Sequence, residues 1–410
     1  MTNAATSARS MAASLMHAAA LTVLLAGSAA IAATPPVVMP FQFEDGRVYV
    51  PVRVANAPAA WFILDTGAST CGIDEALARS LNLTTTAMDN VGGAGAGSSR
   101  ASRIETLAVT VDTVPLTCSP VTVAPFEQLL ARTSGRHVGG IIGAPLFHAH
   151  VVDLDFTRRQ ITLHDPASWR YEGPGARVPF DLDTELPMAK ALLTLADGRQ
   201  VEAHVVLDLG AKSTLLVPEH FASRHQIAGS LGKTTTTGLG AGMGGDTYYT
   251  FGRARRIEFG AGTKAGVDRA IVGLSSAGSL RSPWHDGLLG AAFLSEFRVI
   301  FDYARREMIL APASPSGLAA AFDRSGLFLV AEGAALDAIV VRDVTAGSPA
   351  SIAGLLPRDR LVRIDGEPLD RLGLSGARER LRAPAGRRVQ MAVAREGKEV
   401  VFDVELRDLI

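Results

Sequence analysis

Trp61-Phe62-Ile63-Leu64-Asp65-Thr66-Gly67-Ala68-Ser69 is an apolar run that ends on a carboxylate, a hydroxyl and a glycine. The run reads as a buried strand, and Gly67 permits a tight turn directly after Asp65. A lone Asp-x-Gly is usually an ordinary turn. Here the stretch returns in altered form as Val205-Val206-Leu207-Asp208-Leu209-Gly210-Ala211, 143 residues further on. Two carboxylates at the ends of two similar strands can be set face to face. So placed, they would share one proton and activate a water.

Other blocks repeat in the same order. Gly140-Ile141-Ile142-Gly143-Ala144 returns as Gly287-Leu288-Leu289-Gly290-Ala291, and Asp155-Phe156-Thr157-Arg158-Arg159 returns as Asp302-Tyr303-Ala304-Arg305-Arg306. Both are displaced by 147 residues. The Gly-rich stretch Gly92-Gly93-Ala94-Gly95 corresponds to Gly238-Leu239-Gly240-Ala241-Gly242. This unit is much longer than a solenoid repeat, so the pattern reads as duplication of a whole lobe. Partly alternating apolar runs, Gly-rich turns and two short helices, expected over residues 74–81 and 218–225, suit all-β lobes.

On these motifs the chain resembles two-lobed pepsin/retropepsin-like aspartic proteases of the bacterial type, over roughly residues 37–312. The resemblance implies a mainly β fold of two homologous lobes with the active site between them. It implies an endopeptidase in which Asp65 and Asp208 are catalytic and Thr66, Gly67 and Gly210 support the active-site loops. Ile141-Ile142-Gly143 and Leu288-Leu289-Gly290 would pack beside those loops. No metal, cofactor or covalent intermediate is called for. Two departures stand out. Leu209 lacks the hydroxyl that the family carries after each Asp. The candidate flap, Val91 to Gly97, has no Tyr, so Gly93 and Gly95 would meet substrate through backbone alone.

After the second lobe, Ala311-Pro312-Ala313-Ser314-Pro315-Ser316-Gly317 has the composition of a boundary. The run Gly347-Ser348-Pro349-Ala350-Ser351-Ile352-Ala353-Gly354-Leu355, then Asp359-Arg360-Leu361-Val362-Arg363-Ile364-Asp365-Gly366, resembles a protease-associated PDZ domain. That resemblance implies a small β-sandwich or barrel with helices that binds protein C-terminal tails. Gly326, Leu327 and Phe328 would offer successive backbone amides to a terminal carboxylate. A helix over about residues 375–382 would line the groove, with Leu374, Ala377 and Leu381 expected mostly in the core. The expected organisation is a signal peptide (1–33), lobe one (34–165), lobe two (166–312), a linker (313–317) and the PDZ domain (318–410).

Composition fits this organisation. The chain has 410 residues, 47% of them hydrophobic, enough for sizeable cores. Forty basic and 41 acidic residues leave a net charge of −1, with no block that would favour nucleic acid. The expected partners are polypeptide substrates and tails, and a monomer is compatible with the sequence. Arg9 followed by the uncharged stretch Met11 to Ala33, with Ala30-Ile31-Ala32 near its end, reads as a cleaved export signal. Its alternative is an uncleaved inner-membrane anchor. Export places the enzyme in the periplasm or outside the cell. It would permit a disulfide between Cys71 and Cys118, but pairing cannot be read from spacing, and two buried thiols are the expectation. His148 and His150 would share one face of a strand, but no further ligand accompanies them. Two functions remain: an exported aspartic endopeptidase, and a peptide-binding protein built on weakened protease lobes.

Overall fold

Valines at alternate positions give the strand Arg47–Val54 one apolar face, and Val48, Val50, Val52 and Val54 are all buried in the main core. The opposite face carries Tyr49, which packs with Ile63 and Phe126. The computed structural model describes residues 35–410 apart from 90, 93–96, 184, 243–244, 261–264, 276 and 282. The expected export segment and the flap residues Gly93 and Gly95 lie outside the described residues.

The two lobes repeat one strand arrangement. In the first, Ala60–Leu64 leads into Asp65 and pairs in parallel with Gly140–Ile142, while Cys71–Asp74 pairs in parallel with Val121–Ala124. In the second, Gln200–Asp208 pairs in parallel with Gly287–Gly290, and Leu215–Pro218 with Ile271–Ser275. The repeated Asp-x-x-Arg-Arg turns also have a structural meaning. Each closes a hairpin, Val151–Asp155 with Gln160–His164 and Arg298–Asp302 with Glu307–Ala311. The hairpins join side by side, with Asp153 opposite Ile300, in one six-stranded sheet that bridges the halves.

Both expected short helices form. Glu75–Ser80 is capped by Asp74, whose carboxylate accepts from the amides of Ala76 and Leu77. Pro218 precedes the helix Glu219–Arg224 as its cap rather than in its first turn. Two expectations are corrected. Cys71 and Cys118 are joined in a disulfide, their Cα atoms 6.0 Å apart, because the fold brings strands distant in sequence together. His148 lies on the helix Ala144–Ala149 beside Glu185, and His150 caps that helix, so they are not an alternating strand pair.

The C-terminal unit has its own sheet, running from Leu327–Glu332 through Ala338–Val344, Arg360–Ile364 and Arg388–Arg395 to Lys398–Glu405. The helix Leu369–Leu381 packs on it, with a break at Gly373, where φ is 62°. Leu374, Ala377 and Leu381 are buried in this core, as their helical spacing implies. The segment between lobe and sheet is strapped to lobe two. The carbonyl of Ala319 accepts from Thr214 Oγ1 and the amide of Ile271, and Phe322 packs on Phe251.

Candidate active site

Each active-site loop is held from below by its neighbouring strand. The amide of Asp65 donates to Ile142 O at 2.9 Å, and that of Ala144 to Ala68 O at 2.9 Å. In lobe two, Ala291 N donates to Ala211 O at 2.7 Å. Gly143 and Gly290 are required by this closeness. A Cβ on Gly143 would lie 2.4 Å from Ala68 O, and one on Gly290 would lie 2.5 Å from Ala211 O.

The loops meet at the lobe junction, where the Asp65 and Asp208 carboxyls each pack against the other loop's glycine. Asp65 also accepts from Gly67 N at 2.7 Å, and Asp208 from the amides of Gly210 and Ala211 at 2.9 and 3.0 Å. Each glycine faces the opposite carboxyl. A Cβ on Gly67 would fall 2.6 Å from Asp208 Cγ, and one on Gly210 would fall 2.3 Å from Asp65 Cγ. These glycines are therefore needed for the approach of the partner carboxyl, not for turn geometry alone. Both Asp residues are half-buried. Desolvation raises both above the usual carboxylate range, and the charge of Asp208 raises Asp65 further. Such a pair retains one proton between its members.

Thr66 braces the junction. Its hydroxyl donates to Leu207 O at 2.6 Å and accepts from Leu209 N at 2.9 Å. Leu209 cannot return the contact, and its side chain is wholly buried in the apolar core instead. A cation missed in the sequence adds a second tie. Arg47 donates to Gly210 O at 3.4 Å and to Ser134 Oγ at 3.0 Å, and its charge opposes the upward shift of both Asp residues. Tyr249 is a further unanticipated neighbour, its phenol pushed up to about 12 by burial and by the charge of Asp208.

Another group sits behind the second loop. Asp45 and Gly46 form a two-residue hairpin turn, with φ of 46° and 75°. The Asp45 carboxylate meets Lys212 Nζ at 3.0 Å, Arg382 Nη2 at 3.1 Å and Arg378 Nη1. Burial opposes its charge, but these three cations outweigh burial and hold Asp45 well below the usual carboxylate range. Asp-Gly is a dipeptide that suits such a turn, but no reading of the sequence singled out Asp45, because nothing local reveals its partners.

The expected tail site on the C-terminal unit is enclosed. Leu327 and Phe328 are buried, and a Cβ on Gly238 of lobe two would lie 2.4 Å from Phe328 Cδ1. The loop amides are engaged: Gly326 N donates to Asp323 Oδ2 at 2.5 Å, and Leu327 N to Ser325 Oγ at 3.1 Å. The adjacent strand and helix are tied together by Arg378 Nη2, which donates to Leu329 O at 2.7 Å. Lobe one flanks them, with Arg132 paired to Glu332 at 2.5 Å.

Two homologous β lobes, each contributing an Asp loop to a shared junction, define the aspartic protease class. Residues 50–146 match the family model for aspartyl protease, and residues 340–395 match that for the PDZ domain. The chain thus carries an aspartyl protease domain followed by a PDZ domain. No curated protein gives a match to the chain.

Proposed function

We propose that the protein is an exported aspartic endopeptidase, with Asp65 and Asp208 as its catalytic pair and a PDZ domain that recruits polypeptide C-termini. The close approach of those two carboxyls, each set against the glycine of the other Asp loop, carries this reading. The ionised member takes a proton from water as water attacks the peptide carbonyl, and the protonated member donates to the carbonyl oxygen. One proton shared by two carboxylates is an established property of aspartic proteases as a class. Raised proton affinity suits this work, because a pair ionised twice has no acid to offer. The disulfide supports export, since such bonds persist in oxidising compartments.

The missing hydroxyl at Leu209 favours a second reading, a peptide-binding protein with weakened lobes. Inhibition separates the two. A statine-like transition-state mimic should bind an ordered catalytic pair far more tightly than a substrate peptide does. Cleavage of a peptide library across about pH 3–8, lost in Asp65→Asn, supports the enzyme. Absence of cleavage and of mimic binding leaves the binding protein.

A further inference from the structure

The PDZ domain touches both lobes at one end of their junction. On the lobe-one side, Arg132 of the helix Phe126–Ser134 pairs with Glu332 at 2.5 Å, and Arg378 Nη1 donates to Thr133 O at 2.9 Å. Gly135, which ends that helix with φ of 69°, makes room for the PDZ helix, since a Cβ there would lie 2.7 Å from Leu374 Cβ. On the lobe-two side, Phe328 lies over Gly238 in the strand Thr235–Gly242, its ring 6.5 Å from that of Tyr248. The lobe-one helix and the lobe-two strand also approach each other directly. The strand Leu327–Glu332 therefore spans the two lobes instead of resting on one.

This end is close to both catalytic loops. Phe126 and Leu130 of the lobe-one helix pack with Ile63, which shares a strand face with Asp65. The end of that helix and the Asp208 loop are joined through one side chain, because Arg47 donates to Ser134 Oγ at 3.0 Å and to Gly210 O at 3.4 Å. Gly46 is set against the backbone just beyond the same loop, where a Cβ would lie 2.9 Å from Lys212 O. From Asp208 to the PDZ domain the path is one loop turn and one arginine long, on the order of 10–13 Å, which about three or four extended residues cover at about 3.3 Å each. The domain is also fixed there. Arg378 joins Asp45, Thr133 O and Leu329 O, and Arg382 reaches the same carboxylate at 3.1 Å. Breaking a buried cluster of this kind is costly, so the domain is held in place.

We propose that the PDZ domain is an end wall of the substrate cleft, so that the enzyme accepts only about three or four residues on one side of the scissile bond. The inference rests on the reading of Asp65 and Asp208 as a catalytic pair, and it narrows the substrate class. To bring a carbonyl to that pair, an extended chain must lie along the junction between the lobes. Continued past Ser134 and Lys212, it would have to displace Phe328 from Gly238 or part Arg132 from Glu332. Unstructured chains would thus be trimmed near one terminus, releasing short peptides, instead of being cut at any interior point. Phe328 and Glu332 set this length limit without touching the reacting atoms.

The test uses the full chain and a short peptide that it cuts, with Asp65→Asn as the inactive control. The peptide is lengthened by Gly-Ser units in two series, one on the N-terminal side of the cut and one on the C-terminal side. One series should keep kcat/KM within about twofold, and the other should lose about tenfold or more once its extension passes about four residues from the scissile bond. Mass spectrometry of a long unfolded polypeptide should show short fragments leaving one terminus. In Phe328→Ala/Glu332→Arg, which withdraws the ring from Gly238 and sets two cations against each other at Arg132, the long peptides should regain most of that loss. Circular dichroism and melting curves confirm that this variant is folded. Native protein that cuts both extended series as fast as the parent peptide overturns the end wall and leaves the catalytic pair standing. A length limit that persists unchanged in the folded double variant overturns the PDZ domain as its cause. Failure to cut any peptide, the parent included, removes the catalytic reading and the inference with it.

Discussion

The hydroxyl of Thr66 crosses the lobe junction and accepts from the amide of Leu209 at 2.9 Å, while its proton goes to Leu207 O at 2.6 Å. One side chain thus secures the loop of Asp208 by two bonds, and Leu209 is free to be apolar. Leu209→Thr should therefore not raise activity. It removes buried apolar volume and introduces a hydroxyl among core side chains, at a cost of about 1–3 kcal/mol. A lower melting temperature without a faster turnover is expected. A gain in kcat would show that the missing hydroxyl limits the enzyme.

Asp65→Asn and Asp208→Asn should each lower kcat by about 10²–10⁴-fold, the range for loss of a general acid or base. Neither should unfold the protein, because each replaces a member of a desolvated, mutually repelling pair with a neutral isostere. Peptide turnover and near-ultraviolet circular dichroism on the same samples check both statements. A single mutant with native turnover refutes the assignment.

Arg47→Met should shift the whole pH–rate profile to higher pH. The Arg47 charge pulls both Asp residues downward, so its removal raises them. The acid limb, set by forming the one carboxylate, and the alkaline limb, set by losing the shared proton, should both move. Loss of the bond to Gly210 O should also reduce kcat, since a slightly misplaced loop costs rate. A profile that drops in height without moving would mean that Arg47 acts only as a brace.

Asp45→Asn should destabilise the chain by about 3–5 kcal/mol, because it strands buried cations. The folded carboxylate lies below its ordinary value, so its contribution is present above about pH 4 and lost as pH falls further. Melting curves should show the native and mutant proteins converging in acid. A constant gap down to pH 2 would remove the ion cluster as the cause.

Reduction of Cys71–Cys118, which are 47 residues apart, should cost about 4 kcal/mol on the chain-entropy account. Thermal melts with and without a thiol reductant measure it, using Cys71→Ala/Cys118→Ala as the reference. An unchanged melting temperature on reduction would contradict this.

Local chemistry and repetition were legible in the chain. Two apolar runs ending in Asp, two hydrophobic-Gly segments and two Asp-x-x-Arg-Arg turns were enough to expect two like lobes, because strand burial and tight turns leave periodic marks. Leu374, Ala377 and Leu381 were readable as core for the same reason. The cross-lobe partners were not legible. The shared face of Gly67 and Asp208, the reach of Arg47 to Gly210, and the disulfide all depend on distances between elements that no local pattern encodes.

Sequence by itself determined the strands, the loops carrying Asp65 and Asp208, and the identity of the two kinds of domain, since these depend on residues close in the chain. Tertiary structure decided what those residues face. It set Asp45 against Lys212, Arg378 and Arg382, and covered Phe328 with Gly238. The physical reason is that an ion pair or a packed cavity depends on separation in space, whereas local sequence encodes mainly torsional preference and burial.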